Sequence, residues 1–415
     1  GPSELKNKAK YVYTLKETIR TILFEKLNHN NYIIDSNNTS FDTIKISVKN
    51  SSIDIFTKIQ QYDNYLFPID IENSSFTLTF DETKTYTDIS QMLLTLFSII
   101  VEESHFNQVF NLKYKLISNE ELILKNTSYR ETSLLPQKQF NNYNNEHKIT
   151  RYITDIQKKD LSLTHSMIPL GSCTMKLNSS EVLHALLLES WTDVHPFTPI
   201  SKQQGYQELI NKMKMYLSNI TGLDDVSFQS NSGATGEYSA LRVFQKYFEE
   251  KGENRNVCII PDSAHGTNFA SAKLAGYKIE KVKSLSNGSL NTSHLEKIIK
   301  KHGSNIACMM ITFPSTFGFF EENTPDILKM IKDTGALIYC DGANMNAFMG
   351  LINLKDMGID ACHMNLHKTF TIPHGGGGPG LGPIAVTNEL KQYLPNNDIV
   401  TINEYSNSYG SIAST

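Results

Sequence analysis

From Gln204 onward, short runs of uninterrupted apolar residues alternate with stretches of helical spacing. This alternation constrains the fold more than any other feature of the chain. The expected strands are 226–229, 257–260, 278–282, 307–312 and 336–340. The expected helices are 204–220, 236–250, 269–275, 293–302 and 325–333. Strands with one solvated face alternate apolar and polar residues, whereas strands covered on both faces read as continuous apolar runs. The pattern therefore predicts an α/β domain over 204–395, a mainly parallel sheet between helices. In such a sheet, ligands bind beyond the carboxyl ends of the strands.

Upstream, residues 1–40 begin with helical spacing over 13–27 and continue as an Asn-rich stretch that reads as a solvated linker. Residues 41–115 read as a small α/β domain, alternating like strands over 41–48 and 76–80 and spaced like helices over 53–62 and 89–100. Residues 116–203 connect, with a helix over 148–161 and then HSMIPLGSCTMKLN, too rich in Gly, Pro and small polar residues for a helix. A loop of that kind runs on the surface or over a site. Residues 396–415 form a short C-terminal segment.

Composition excludes several classes. With 39 basic and 43 acidic residues the net charge is −4, which gives no electrostatic footprint for nucleic acid. The longest apolar candidate, Met92 to Val101, is broken by Thr95 and Ser98 and is too short for a membrane span. Five cysteines without a CxxC pair fit a reduced compartment better than secretion. The start shows no secretory signal, and Gly1-Pro2-Ser3 resembles a remnant of tag cleavage.

Four places along the large domain invite chemistry. Ser232, Gly233 and Ala234 follow a strand and open a helix. Small residues there let backbone N–H groups meet a phosphate, and an ordinary helix cap would use the same Ser232. His265 follows the next strand, where a ring is able to face a ligand, although a lone histidine is more often structural. Asp341 follows an apolar strand and precedes Gly342 and Ala343. It suits a protonated ring nitrogen, and equally a metal, a turn or a cap. Lys368 follows His367 and leads into the glycines 375–378. A lysine near a core sheds its charge or finds a partner, and when neutral it attacks carbonyls to form a Schiff base. The alternative is an exposed loop lysine. A zinc reading through His363, His367 and His374 lacks the glutamate of HExxH, and Pro373 ends any helix there, so no metal is expected. Together, phosphate cradle, ring-facing histidine, strand-end aspartate and lysine make the set that a pyridoxal phosphate enzyme needs.

The stretches HSMIPLGSCTMKLN, HPFTPISKQQGYQEL, SNSGATGEYSAL, SAHGTNFASAKLAG, MMITFPSTFGFFEE, DGANMNA and NLHKTFTIPHGGGGPGLGP carry a specific resemblance from about residue 160 to 383. They resemble the P-protein family of the glycine cleavage system, the pyridoxal phosphate-dependent glycine decarboxylases. The resemblance implies the type I, aspartate-aminotransferase-like fold. It implies that Lys368 carries the Schiff base with pyridoxal 5'-phosphate, that His265 stacks on the cofactor ring and that Asp341 pairs with its nitrogen. Ser232, Gly233 and Ala234 would hold the phosphate, with Ala343 and His367 beside the cofactor. Ser172, Cys173 and His195 would approach the substrate, glycine. The implied reaction transfers an aminomethyl group to the lipoyl arm of H-protein, at the junction with a second P-protein-like unit or a homodimer partner. The implied compartment is the mitochondrial matrix in a eukaryote and the cytoplasm in a bacterium. Thr235 departs from the family's usual Gln, and the chain resembles a shortened family member. The alternatives are a non-catalytic relative that binds the cofactor or a partner, and another lyase or transferase of the same fold.

Overall fold

The computed structural model describes residues 1–27, 29, 31–35, 40–49, 55–61, 68–70, 74–118, 132–161, 181, 184–192, 194, 203–370, 372 and 380–395. The chain divides into two units, residues 1–162 and 163–415.

The first unit opens on α1 (Pro2–Lys26), which starts earlier than the apolar spacing predicts. Proline costs nothing in the first turn of a helix, and Glu4 there meets the positive end of the helix dipole. Val12, Leu15, Ile19, Ile22 and Leu23 form its buried stripe, the spacing of one helix face. The unit's sheet is antiparallel, in the order β1 (Tyr32–Ile34), β2 (Thr43–Val48), β4 (Ser75–Thr79), β3 (Pro68–Asp70). The Asn-rich stretch expected as a linker thus contains a strand. Ile34 lies opposite Ile46, and Tyr32 and Ile34 are buried; three residues are too few to show a period in sequence. The remaining helices are α2 (Ile55–Gln61), α3 (Tyr86–Phe97), α4 (Glu103–Ser118), α5 (Lys138–Asn142) and α6 (Glu146–Gln157). A capping box starts α3: the Thr85 hydroxyl accepts from the Asp88 N–H, and the Asp88 carboxylate accepts from the Thr85 N–H at 2.7 Å. Asn145 caps α6, accepting from the Lys148 N–H at 3.0 Å, which sets its start ahead of the expected 148.

The first unit also buries an ion pair. Lys16 Nζ lies 2.6 Å from Glu17 Oε1, and each residue is 1% exposed. The half-exposed Arg20 reaches the other Glu17 oxygen at 3.2 Å.

The second unit is built as the alternation predicts. Its elements are α7 (Glu189–Thr192), α8 (Gln204–Thr221), β5 (Asp225–Ser227), α9 (Gly233–Glu250), β6 (Val257–Pro261), α10 (Gly266–Leu274), β7 (Lys278–Val282), α11 (Thr292–His302), β8 (Ile306–Thr312), α12 (Thr324–Lys332), β9 (Leu337–Gly342), β10 (Ala361–Met364) and β11 (Ile384–Val386). The sheet order is β5-β11-β10-β9-β8-β6-β7. Strands β10, β9, β8, β6 and β7 run parallel, while β11 is antiparallel to both β10 and β5. Every residue of β6, β9, β10 and β11 is buried, as continuous apolar strands require. Two strands, β10 and β11, go beyond the expected set. In addition, β9 continues through Asp341 to Gly342, so Asp341 belongs to the strand rather than following it. Among the described residues no helix is long and apolar enough to cross a membrane.

Candidate functional site

The expected site residues that are described fall at the carboxyl ends of β6, β9 and β10 and, after β5, at the start of α9. The parallel register sets His363 of β10 opposite Asp341 of β9 and Met364 opposite Gly342. Just past β10 the chain turns through 365–369, with the Lys368 N–H donating to the Asn365 carbonyl at 3.0 Å. The Lys368 side chain is partly buried, and its amino group has no acceptor among the described residues. His367 beside it is 5% exposed.

Two contacts fix this turn against its neighbours. The Met345 N–H donates to Thr369 Oγ1 at 2.8 Å, tying it to the segment after β9. Asn365 lies under Gly233 so closely that a Cβ on Gly233 would meet Asn365 Oδ1 at 2.5 Å. Gly382 is tighter still: its Cβ would lie 2.1 Å from the Ser232 carbonyl oxygen. Glycine is required at both places by the approach of backbone to backbone and of side chain to backbone.

Ser232 is the N-cap of α9, accepting from the Thr235 N–H at 3.1 Å. The helix-cap reading of Ser232 is therefore realised. It leaves the Gly233 and Ala234 N–H groups without an acceptor among the described residues, at the positive end of an 18-residue helix. That arrangement receives an anion.

Asp341 is 4% exposed and well held. Its Oδ2 accepts from Asn268 Nδ2 at 3.0 Å, and its Oδ1 accepts from the Ala343 N–H at 3.0 Å. His363 Nε2 stands 3.8 Å from Oδ1, and Tyr339 Oη is hydrogen-bonded to His363 Nδ1. His265 caps α10 and is exposed; its Nδ1 accepts from the Thr267 N–H at 3.2 Å. Thr267 Oγ1 is 2.7 Å from His265 Nδ1 and 2.7 Å from Glu237 Oε1. These bonds tie α10 to α9 and to β9, so Ser232, His265, Asp341 and Lys368 all belong to one assembly.

Sequence reading passes over Glu237, Asn268 and Asn365 and meets His363 only in the zinc group it sets aside; the structure adds all four to the site. Glu237 had a signal: it occupies the apolar stripe of α9, with Ala240, Leu241, Phe244 and Phe248. A carboxyl at a stripe position is 3% exposed here, and burial pushes its pKa up, helped by the Asp341 carboxylate and opposed by His363. Several buried polar atoms in this group have no hydrogen-bond partner among the described residues: Glu237 Oε2, Asn268 Oδ1, His363 Nε2 and Asn365 Oδ1. Unpaired buried polar atoms are costly in a finished interior and are concentrated here at one end of the sheet. Ser172, Cys173, His195 and His374 lie outside the described residues. Among the described residues no group of three His, Cys, Asp or Glu side chains is placed to hold a metal.

The profile for the family Aminotransferase class-V matches residues 210–413. Glycine dehydrogenase (decarboxylating) of Christiangramia forsetii is 40% identical over 405 residues, 96% of this chain and 40% of that protein. The mitochondrial glycine dehydrogenase (decarboxylating) of Pisum sativum is 43% identical over 361 residues, 87% of this chain and 33% of that protein. That of Gallus gallus is 50% identical over 281 residues, 68% of this chain and 28% of that protein. The chain thus spans at most about two fifths of the length of these relatives. A crystal structure of glycine decarboxylase (P-protein) of the glycine cleavage system, in inhibitor-bound form, superposes with a TM-score of 0.51 at 17% identity. It covers 75% of this chain and 64% of that one, a likeness of fold. By these matches the chain is a homologue of part of glycine dehydrogenase (decarboxylating), with an Aminotransferase class-V domain over residues 210–413.

Proposed function

We propose that this chain holds pyridoxal phosphate at the carboxyl ends of β6, β9 and β10. We further propose that it serves glycine decarboxylation in the glycine cleavage system. The observation that carries the reading is the convergence of Lys368, Asp341 and the Ser232 turn, held together by Asn365 under Gly233 and by Asn268 on Asp341. The fit is chemical as well as spatial. The N–H groups of Gly233 and Ala234 suit a phosphate, the buried Asp341 carboxylate suits a protonated ring nitrogen, and the Lys368 amine, without an acceptor among the described residues, suits a carbonyl. When bound, the cofactor supplies an electron sink for the pair released with CO2.

The chain's own groups then have distinct tasks. Lys368 would hold the cofactor through a Schiff base. Asp341, fixed by Asn268 and the Ala343 N–H, would pair with the ring nitrogen. His265 would cover the ring face, with Ala343 and His367 beside the cofactor. Ser172, Cys173 and His195 meet the glycine. The cofactor-binding domain in this reading is 204–395, and the partners are the lipoylated H-protein, which takes the aminomethyl group, and a second P-protein-like unit. The compartment is the mitochondrial matrix in a eukaryote and the cytoplasm in a bacterium.

Adding pyridoxal phosphate and recording the visible spectrum tests the cofactor reading. The expected result is an absorbance band in the chain as it stands and none in Lys368→Ala; a band that ignores the lysine, or no band at all, sinks the reading. Exchange of bicarbonate into glycine with lipoylated H-protein then tests the reaction.

A further inference from the structure

The start of α9, where an anion is received, and the turn that carries Lys368 meet at one side chain, Asn365. This residue follows β10 directly, and its carbonyl accepts from the Lys368 N–H at 3.0 Å, so it opens the lysine's turn. Its amide packs on the first residue of α9: a Cβ on Gly233 would lie 2.5 Å from Asn365 Oδ1, 2.9 Å from Nδ2 and 3.1 Å from Cγ. Asn365 is 6% exposed, and its Oδ1 has no hydrogen-bond partner among the described residues. An amide that served the interior alone would close both of its ends.

The other side of Gly233 is closed. Gly382 donates its N–H to the Ser230 carbonyl at 2.9 Å, and a Cβ on Gly382 would lie 2.7 Å from the Gly233 nitrogen. The neighbouring Pro383 carbonyl accepts from the Met364 N–H at 2.9 Å. Close-packed groups transmit a displacement rather than absorb it. A shift of Gly233 is therefore passed to Asn365, and from there along the turn to Lys368.

We infer that Asn365 is a positioning residue that couples the two halves of the site: an anion on the Gly233 and Ala234 N–H groups sets, through Asn365, the placement of the Lys368 amine.

The inference rests on the cofactor reading and adds to it. The site prefers a phosphorylated carbonyl compound by more than the phosphate's own contacts, because the phosphate also readies the lysine. Coupling of this kind is reciprocal: whatever factor the anion adds to carbonyl binding, the carbonyl compound adds to anion binding.

Splitting the cofactor into two ligands tests the coupling. Deoxypyridoxal, with a methyl group in place of the phosphate-bearing arm, supplies the ring and the carbonyl; inorganic phosphate supplies the anion. Deoxypyridoxal is titrated by its Lys368-dependent visible band, and its affinity is expected to rise about fivefold or more when phosphate is present. An unchanged or weakened affinity in the unaltered chain overturns the inference, whatever the variants do. In Asn365→Ala the gain from phosphate should vanish, and a gain that survives there overturns the inference as well. Lost packing alone would weaken both titrations and leave their ratio as it was. Asn365→Ser gives the same readout if the alanine variant fails to fold. A chain without a Lys368-dependent band toward pyridoxal phosphate itself defeats the cofactor reading and the coupling with it. A chain with that band and no gain from phosphate defeats the coupling alone.

Discussion

Both units bury charged side chains, and they treat them in opposite ways. In the first unit, Lys16 and Glu17 close on one another within one helix, with Arg20 on the remaining oxygen. Among the described residues, neither Lys16 nor Glu17 leaves a buried polar atom unpaired. In the second unit, Glu237, Asn268, Asp341, His363 and Asn365 form a group with polar atoms left without a partner among the described residues, and the Lys368 turn is tied to it through Asn365. A closed pair maintains shape. A group with spare hydrogen-bonding capacity at the carboxyl end of a parallel sheet is arranged to take something in.

That contrast is open to attack by substitution, first at the two lysines. Lys368→Ala should abolish the visible cofactor band while changing stability by no more than about 0.5 kcal/mol, the usual range away from special contacts. Denaturant unfolding and the spectrum together check both halves. Glu17→Ala should do the reverse. It strands Lys16 in the interior and costs about 3–5 kcal/mol, seen as lost hydrogen-exchange protection in α1, with the cofactor band unchanged. If Glu17→Ala erased the band, the division of labour between the units would fail.

Gly382→Ala sits between these extremes. Its methyl group meets the Ser232 carbonyl, so backbone must shift, at about 1–3 kcal/mol. Weaker pyridoxal phosphate binding should accompany the loss, measured by spectral titration. Thr85→Ala removes a helix cap in the first unit and should cost about 1 kcal/mol there, with no change in cofactor affinity.

The smallest effects concern pH, and they run in opposite directions. The Thr85 N–H and hydroxyl hold the Asp88 carboxyl below its ordinary value. Its stabilisation is present above that ordinary value and is lost as pH falls through the depressed one. Glu237 is raised by burial, so its contribution is complete below the ordinary value and is lost as pH rises through the raised one. Stability curves of Asp88→Asn and Glu237→Gln against pH should therefore diverge from the unaltered chain at opposite ends.

What was legible in the sequence follows the same physics. Strands β6, β8 and β9 announce themselves because burial on both faces demands long apolar runs. Strands β10 and β11 have four and three residues, ACHM and IAV, and no period fits in so few. Helix α4 had readable spacing in Phe106, Val109 and Ile117, all buried, but it lies in a stretch otherwise rich in polar residues. The lysine, aspartate, histidine and cap were visible as residue types at strand ends. The supports beneath them were not, because Asn268 gains its meaning only through Asp341, 73 positions away.

The place of β11 has a consequence for how the protein comes into being. It pairs with β10 on one side and β5 on the other, so among the described strands β5 has no partner until Val386 has been made. A ribosome releasing this chain from its amino end delivers β5 long before it delivers β11. The first unit's pairings are all within residues 32–79 and can form early. The second unit must keep one strand waiting, a long-range closure of the kind that slows folding and invites chaperone binding.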